Sequence, residues 1–195
     1  MADTKTIELT RDVDGHPVPA AGSWNVDQAH STVEFVARHL VVTKVRGRFS
    51  DYDASITIGE RPEDSKVDVT IRTASIATGD PGRDGHLASA DFLDVEQYPT
   101  IAFASNGVRP TGTNTWDVDG DLTVHGVTQP VTLNVEFGGV ATDPWDNTKA
   151  FFSASTEFDR ESFGLTWNQP LAGGGVLVGK KVRVELEIQA TPSAL

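Results

Sequence analysis

KVDVTIRT, residues 66–73, alternates without a break: Val67, Val69 and Ile71 stand against Lys66, Asp68, Thr70 and Arg72. In an extended chain successive side chains point to opposite faces, so this stretch carries one apolar face and one charged face. That is the pattern of an antiparallel strand with one side on a core and the other in water.

The same period runs through the neighbouring sequence. Upstream, Val33, Phe35, Ala37 and His39 share one face, then Val45, Gly47 and Phe49, then Tyr52, Ala54, Ile56 and Ile58 after a bend at Ser50-Asp51. Downstream the inner sets are Ile101 and Phe103; Trp116, Val118, Gly120, Leu122 and Val124; Val131, Leu133, Val135 and Phe137; Ala150, Phe152, Ala154, Thr156 and Phe158; and Val182, Val184, Leu186 and Ile188. This makes about eight strands joined mostly by short turns, and short links join antiparallel neighbours. One apolar face per strand implies a single inner surface, and a sheet of that size removes its edges by closing on itself. The expectation is an all-β, up-and-down antiparallel barrel. The glycines and alanines on the inner face leave two readings open, packing complements to large side chains or an open lumen.

The chain has 195 residues, no cysteine and a net charge of −12. One domain is expected over 23–195, preceded by a flexible tail over 1–22 that ends in the linker Pro17-Val18-Pro19-Ala20-Ala21-Gly22. The acidic balance disfavours nucleic acid and anionic membrane surfaces as partners. Without cysteine, thiolate catalysis and disulfides are excluded. No apolar run reaches a membrane span and no signal peptide is visible, so the expected location is the cytoplasm, with no stable membrane insertion.

Alternation stops at RDGHLASADFLDVEQYPTIAF, residues 83–103. A short helical insertion is expected near 84–95, with Asp80-Pro81 able to start it and Tyr98-Pro99 forcing an extended exit. Arg83 and His86 could recognise an anion there, with Leu87, Phe92 and Leu93 anchoring the segment on the core. The histidines His16, His30, His39, His86 and His125 have no metal-ligand spacing, so neither metal nor cofactor is expected. Ser89 has no nucleophile elbow around it. The stretch ahead of and through Gly173-Gly174-Gly175 reads either as a long flexible connection or as a mobile rim with Phe163, Leu165 and Trp167 at the barrel mouth.

Several blocks resemble the YceI-like polyisoprenoid-binding family: Trp24-Asn25-Val26-Asp27 with His30-Ser31; Val45-Arg46-Gly47-Arg48-Phe49; Arg83-Asp84-Gly85-His86-Leu87 and Asp91-Phe92-Leu93-Asp94; Tyr98-Pro99-Thr100-Ile101-Ala102-Phe103; Gly120-Asp121-Leu122-Thr123-Val124-His125-Gly126; and Arg160-Glu161-Ser162-Phe163-Gly164. The resemblance covers roughly 23–190. It implies an extended lipocalin-like barrel that holds a long-chain isoprenoid or similar amphiphilic lipid for storage or transport, without catalysis, and a homodimer as the expected assembly. Strand parity then assigns Phe35, Phe49, Phe103, Leu122, Phe137 and Phe152 to the tail channel, and the charged break assigns His39, Arg83 and His86 to the head group. Two alternatives stand beside it: an enzyme acting on a polyprenyl head group through Asp84 and His86, and a solid-cored interaction module without ligand.

Overall fold

The computed structural model describes residues 9–40, 42–144 and 147–193. Along the chain run β1 (Thr10–Val13), β2 (His16–Pro19), β3 (Gly22–Val26), β4 (Thr32–His39), β5 (Thr43–Phe49), β6 (Tyr52–Ile58), β7 (Lys66–Arg72) and β8 (Ile76–Ala77). A helix, α1 (Pro81–Ala88), precedes β9 (Thr100–Pro110), β10 (Thr115–Val124), β11 (Val127–Thr142), β12 (Thr148–Asp159) and β13 (Val178–Pro192).

Three staves of the barrel are strands broken by a bend. β3 and β4 both lie along β13, β5 and β6 lie along β4 and β3, and β8 and β7 lie along β5 and β6. β9 then pairs with β7, β10 with β9, β11 with β10, and β12 with β11, all antiparallel. β13 takes β12 on its other edge and closes an eight-stave, up-and-down barrel. Closure pairs the inner edges that an open sheet would leave for another chain. The staves are long: β11 has 16 residues, roughly 50 Å of strand before tilt.

The parity of the sequence holds in the barrel. Val67, Val69 and Ile71 point inward opposite Ala54, Ile56, Ile101 and Phe103. Two inner-face glycines are packing complements: a Cβ at Gly47 would overlap the Phe35 ring, and one at Gly120 would stand 2.5 Å from Cζ of Phe103. Those absent side chains make room for aromatic ones, and the interior is not filled.

Two clusters close the ends. Leu93, Ile101, Val124, Phe163 and Leu165 are buried together at the α1 end, and Trp24, Phe137, Ala150 and Ala190 at the opposite end. Phe163 is fully buried and Leu165 nearly so. They belong to the core rather than to the mobile rim expected of them, because a short 3-10 turn, Arg160–Phe163, folds the chain back as β12 ends. Gly164 permits that reversal with φ +79°, a conformation costly for any residue with a Cβ.

The helix starts three residues before the expected 84–95 and stops at Ala88; turns carry the chain on to Gln97. Asp80 sets the start: its carboxylate accepts the Arg83 N–H at 3.0 Å, and Pro81 follows in the first turn, where its missing N–H costs nothing. The expectation of a flexible tail over 1–22 is corrected for its described part. Residues 10–19 form a hairpin, β1 with β2, and Val18 is 4% exposed. Trp24 donates from Nε1 to the Ala20 carbonyl at 3.0 Å and Ala20 N–H to the Leu9 carbonyl at 2.9 Å, which ties the hairpin to the barrel. Residues 1–8 lie outside the described residues.

Candidate functional site

The barrel encloses two apolar chambers. The larger, about 250 Å³, lies on the α1 side; the smaller, about 140 Å³, lies on the hairpin side. Ile56, Val67, Leu133, Leu186 and Ile188 line both, so the two adjoin at five aliphatic side chains. The solid-cored reading is left without a solid core.

Phe35, Phe49, Phe103 and Leu122 line the larger chamber, and Phe137 and Phe152 the smaller one. Leu87 and Phe92 reach the larger chamber from α1 and the turn behind it, together with Leu93. His39, Arg83, His86 and Trp167 line neither. His39 is the last residue of β4, beside Thr43 and Val178.

The polar loop is occupied with itself. Arg83 donates from Nε to the Thr78 hydroxyl at 2.7 Å and from Nη2 to the Thr78 carbonyl at 3.0 Å. The Asp84 carboxylate accepts the Thr78 N–H at 2.8 Å. His86 pairs through Nε2 with Asp91 at 2.9 Å, and its ring stands edge-on to Trp167 and Phe92 with centroids 4.6 and 5.1 Å away. Asp84 and His86 thus serve different partners, and the Ser89 hydroxyl donates to the His86 carbonyl rather than to the ring. The nucleophile–base pair that covalent catalysis needs is not assembled here. Among the described residues no three His, Asp or Glu side chains gather as a metal site.

Inside the barrel the opposite holds. Among the described residues, two buried side-chain polar atoms lack a hydrogen-bond partner, the Tyr52 hydroxyl and Nη2 of Arg160. Both residues line the larger chamber. Arg160 is 3% exposed; its Nε donates to the Gly179 carbonyl at 3.0 Å and its Nη1 to the Leu165 carbonyl. It enters no ion pair among the described residues; its neighbour Glu161 pairs instead with Lys180 at 2.6 Å. Burial lowers the Arg160 pKa, Glu161 and Asp159 opposing that shift, yet a guanidinium does not lose its proton in a protein. Burial likewise raises the Tyr52 pKa, a side-chain interaction with Ser31 opposing it; Ser31 stands beside the hydroxyl, although the pair falls outside hydrogen-bond geometry. A buried cation with one free donor edge, and a hydroxyl whose neighbour Ser31 is out of hydrogen-bond geometry, can both receive an acceptor-bearing head group.

Parity is the sequence signal for Arg160 as a candidate. Positions 150, 152, 154, 156 and 158 face inward, and Arg160 is next in that series, a charge where an apolar residue is due. Tyr52 shares the inner face with Ala54, Ile56 and Ile58 in the sequence pattern.

The model of the YceI-like domain matches residues 24–190. A UPF0312 protein of Pseudomonas putida strain GB-1 is 42% identical over 148 residues, 74% of this chain and 77% of that protein. Among solved structures, BcnA of Burkholderia cenocepacia superposes with a TM-score of 0.73 at 25% identity, covering 86% of this chain and all of BcnA. A polyisoprenoid binding domain from Saccharophagus degradans shares the fold, with a TM-score of 0.61 at 16% identity over 87% of this chain and 98% of that domain.

Proposed function

This chain belongs to the YceI-like domain family, and from that premise we propose that it binds a long-chain isoprenoid or similar amphiphilic lipid and stores or carries it without transforming it. The observation that carries the reading is the pair of apolar chambers that adjoin at five aliphatic side chains inside a closed barrel. Each methylene-sized unit buried gains about 0.8 kcal/mol, so a long tail favours an enclosed channel over a surface groove. The polyisoprenoid binding of the Saccharophagus domain, which has the same fold, supports the choice of lipid.

In this reading the tail runs past these five side chains toward the hairpin, and an oxygen of the head group accepts from Arg160 Nη2, with Tyr52 as a second polar contact. The head group therefore sits within the barrel wall, not at His39, Arg83 and His86. Carriage without chemistry fits a loop whose Asp84 and His86 are committed to separate partners. Native mass spectrometry of the purified protein tests the proposal: a bound lipid that organic extraction removes, and whose return raises the melting temperature, is expected. A barrel repeatedly empty, with no lipid-dependent shift in melting, sinks it.

A further inference from the structure

The hairpin β1–β2 precedes the residues that the family model matches, yet it forms part of the wall of the smaller chamber. We infer that this hairpin is the floor of the tunnel and sets the length of apolar chain the barrel accepts. The inference rests on the lipid-binding reading above.

Val18 and Pro19 face the smaller chamber, and both are buried. The floor is fixed at more than one point. The Arg11 guanidinium donates to the Gly59 and Glu60 carbonyls at the turn after β6. His16 Nδ1 lies 2.9 Å from the Gly112 carbonyl in the turn between β9 and β10. The His16 ring meets Trp116 edge-on at 5.2 Å, and Trp116 itself lines the smaller chamber. The hairpin is therefore attached to two separate turns and to the wall it closes.

A length filter needs a fixed head and a fixed floor. Arg160 borders the larger chamber, so a lipid held there extends its tail toward Val18. A chain that ends short of the floor leaves apolar wall uncovered; one that is too long must displace the hairpin or withdraw its head. The preferred ligand is a linear prenyl chain of one bounded length, and the bound is a property of this chain's own N-terminal residues.

The test uses the full-length protein, cleared of lipid, and a single head group on three tails: farnesol, geranylgeraniol and solanesol. Affinities are measured for wild type, Val18→Trp and Val18→Ala. Val18→Trp raises the floor, so it weakens the longest tail that wild type accepts by about tenfold and weakens farnesol least. Val18→Ala lowers the floor and shifts the preference toward longer tails; its opposite sign keeps the proposal testable if Val18→Trp fails to fold. A profile that stays in place, or that weakens equally at every length, overturns the floor while leaving lipid binding intact. A wild-type barrel that takes none of the three prenols overturns the lipid-binding reading, and the floor with it.

Discussion

Two arginines, Arg83 and Arg160, occupy opposite situations. Arg83 sits in the charged break of the sequence, with Asp80, Asp84, His86 and Asp91 close by, and its guanidinium spends two donors on Thr78. Arg160 follows an apolar strand, is 3% exposed, borders an apolar chamber and keeps Nη2 unpartnered. A dense polar cluster can satisfy its own groups, and here it does so to hold α1 and its loop over the barrel. A guanidinium that borders an apolar space and is held only by two backbone carbonyls keeps a donor free. The difference teaches that capacity for a ligand's polar group is read from what is left unsatisfied, not from where polar residues are most numerous.

Replacing Arg160 is the most forceful attempt to break this comparison. Arg160→Met leaves the Gly179 and Leu165 carbonyls without their donors, at a cost of roughly 2–5 kcal/mol. Urea unfolding reads this as a lower midpoint at unchanged slope. The same variant is expected to lose lipid affinity by at least about tenfold, or roughly 1.4 kcal/mol. If it unfolds too readily for binding assays, Arg160→Lys keeps the charge and loses the fork, and should retain only part of the affinity. Wild-type affinity in Arg160→Met would make Arg160 a structural clasp, no different in kind from Arg83.

The reciprocal change is His86→Ala. It removes ring contacts to Trp167 and Phe92, at about 1 kcal/mol of stability, and should leave lipid affinity within about twofold. A loss of affinity larger than that of Arg160→Met would return the head group to the loop.

How much of this was legible in sequence follows from the same contrast. The barrel was, because a period of two is imposed on every residue of a half-buried strand, and KVDVTIRT states it without interruption. The lining aromatics followed from parity alone: Phe35, Phe103 and Phe152 reach the chambers by counting in twos. Placing His39, Arg83 and His86 at a head group did not follow, since hydrogen-bond partners such as Thr78 and Asp91 become visible only once the loop is folded. The hairpin was hidden by its composition. Pro17-Val18-Pro19 reads as an extended linker, and nothing local says that Val18 will find apolar wall to cover.

Tyr52→Phe sharpens the contrast with a smaller effect. The hydroxyl is buried with Ser31 beside it but out of hydrogen-bond geometry, so its removal should stabilise the lipid-free protein slightly, by under about 1 kcal/mol. Lipid affinity should fall a few-fold in the same variant. Stability and binding moving in opposite directions is the signature of a polar atom kept for a ligand. A loss of stability on removing the hydroxyl would show instead that it has a partner within the protein.

Lys149 shows what a partnered, half-buried cation looks like. Its side chain is 13% exposed, and Nζ donates to Asp27 at 2.8 Å and to the Gln189 side chain at 3.4 Å. The hydrogen bond from Lys149 lowers the Asp27 pKa below its ordinary value, with His30 adding to the shift and burial opposing it. A carboxyl whose folded pKa is depressed contributes stability fully above its unfolded pKa, about 3.9. That contribution disappears as pH falls through the folded value. Asp27→Asn should therefore cost under about 1 kcal/mol at neutral pH, and the gap between variant and wild type should narrow in acid. Arg160 enters no ion pair among the described residues and does not titrate, and Glu161 and Asp159 act on it only at longer range, so the stability gap between Arg160→Met and wild type should narrow less in acid than that of Asp27→Asn, as followed by urea unfolding at successive pH values. A gap that closed in acid as fully as that of Asp27→Asn would mean that Asp159 or Glu161 compensates Arg160 as closely as Asp27 does Lys149, and the distinction between a satisfied and an unsatisfied cation would fail.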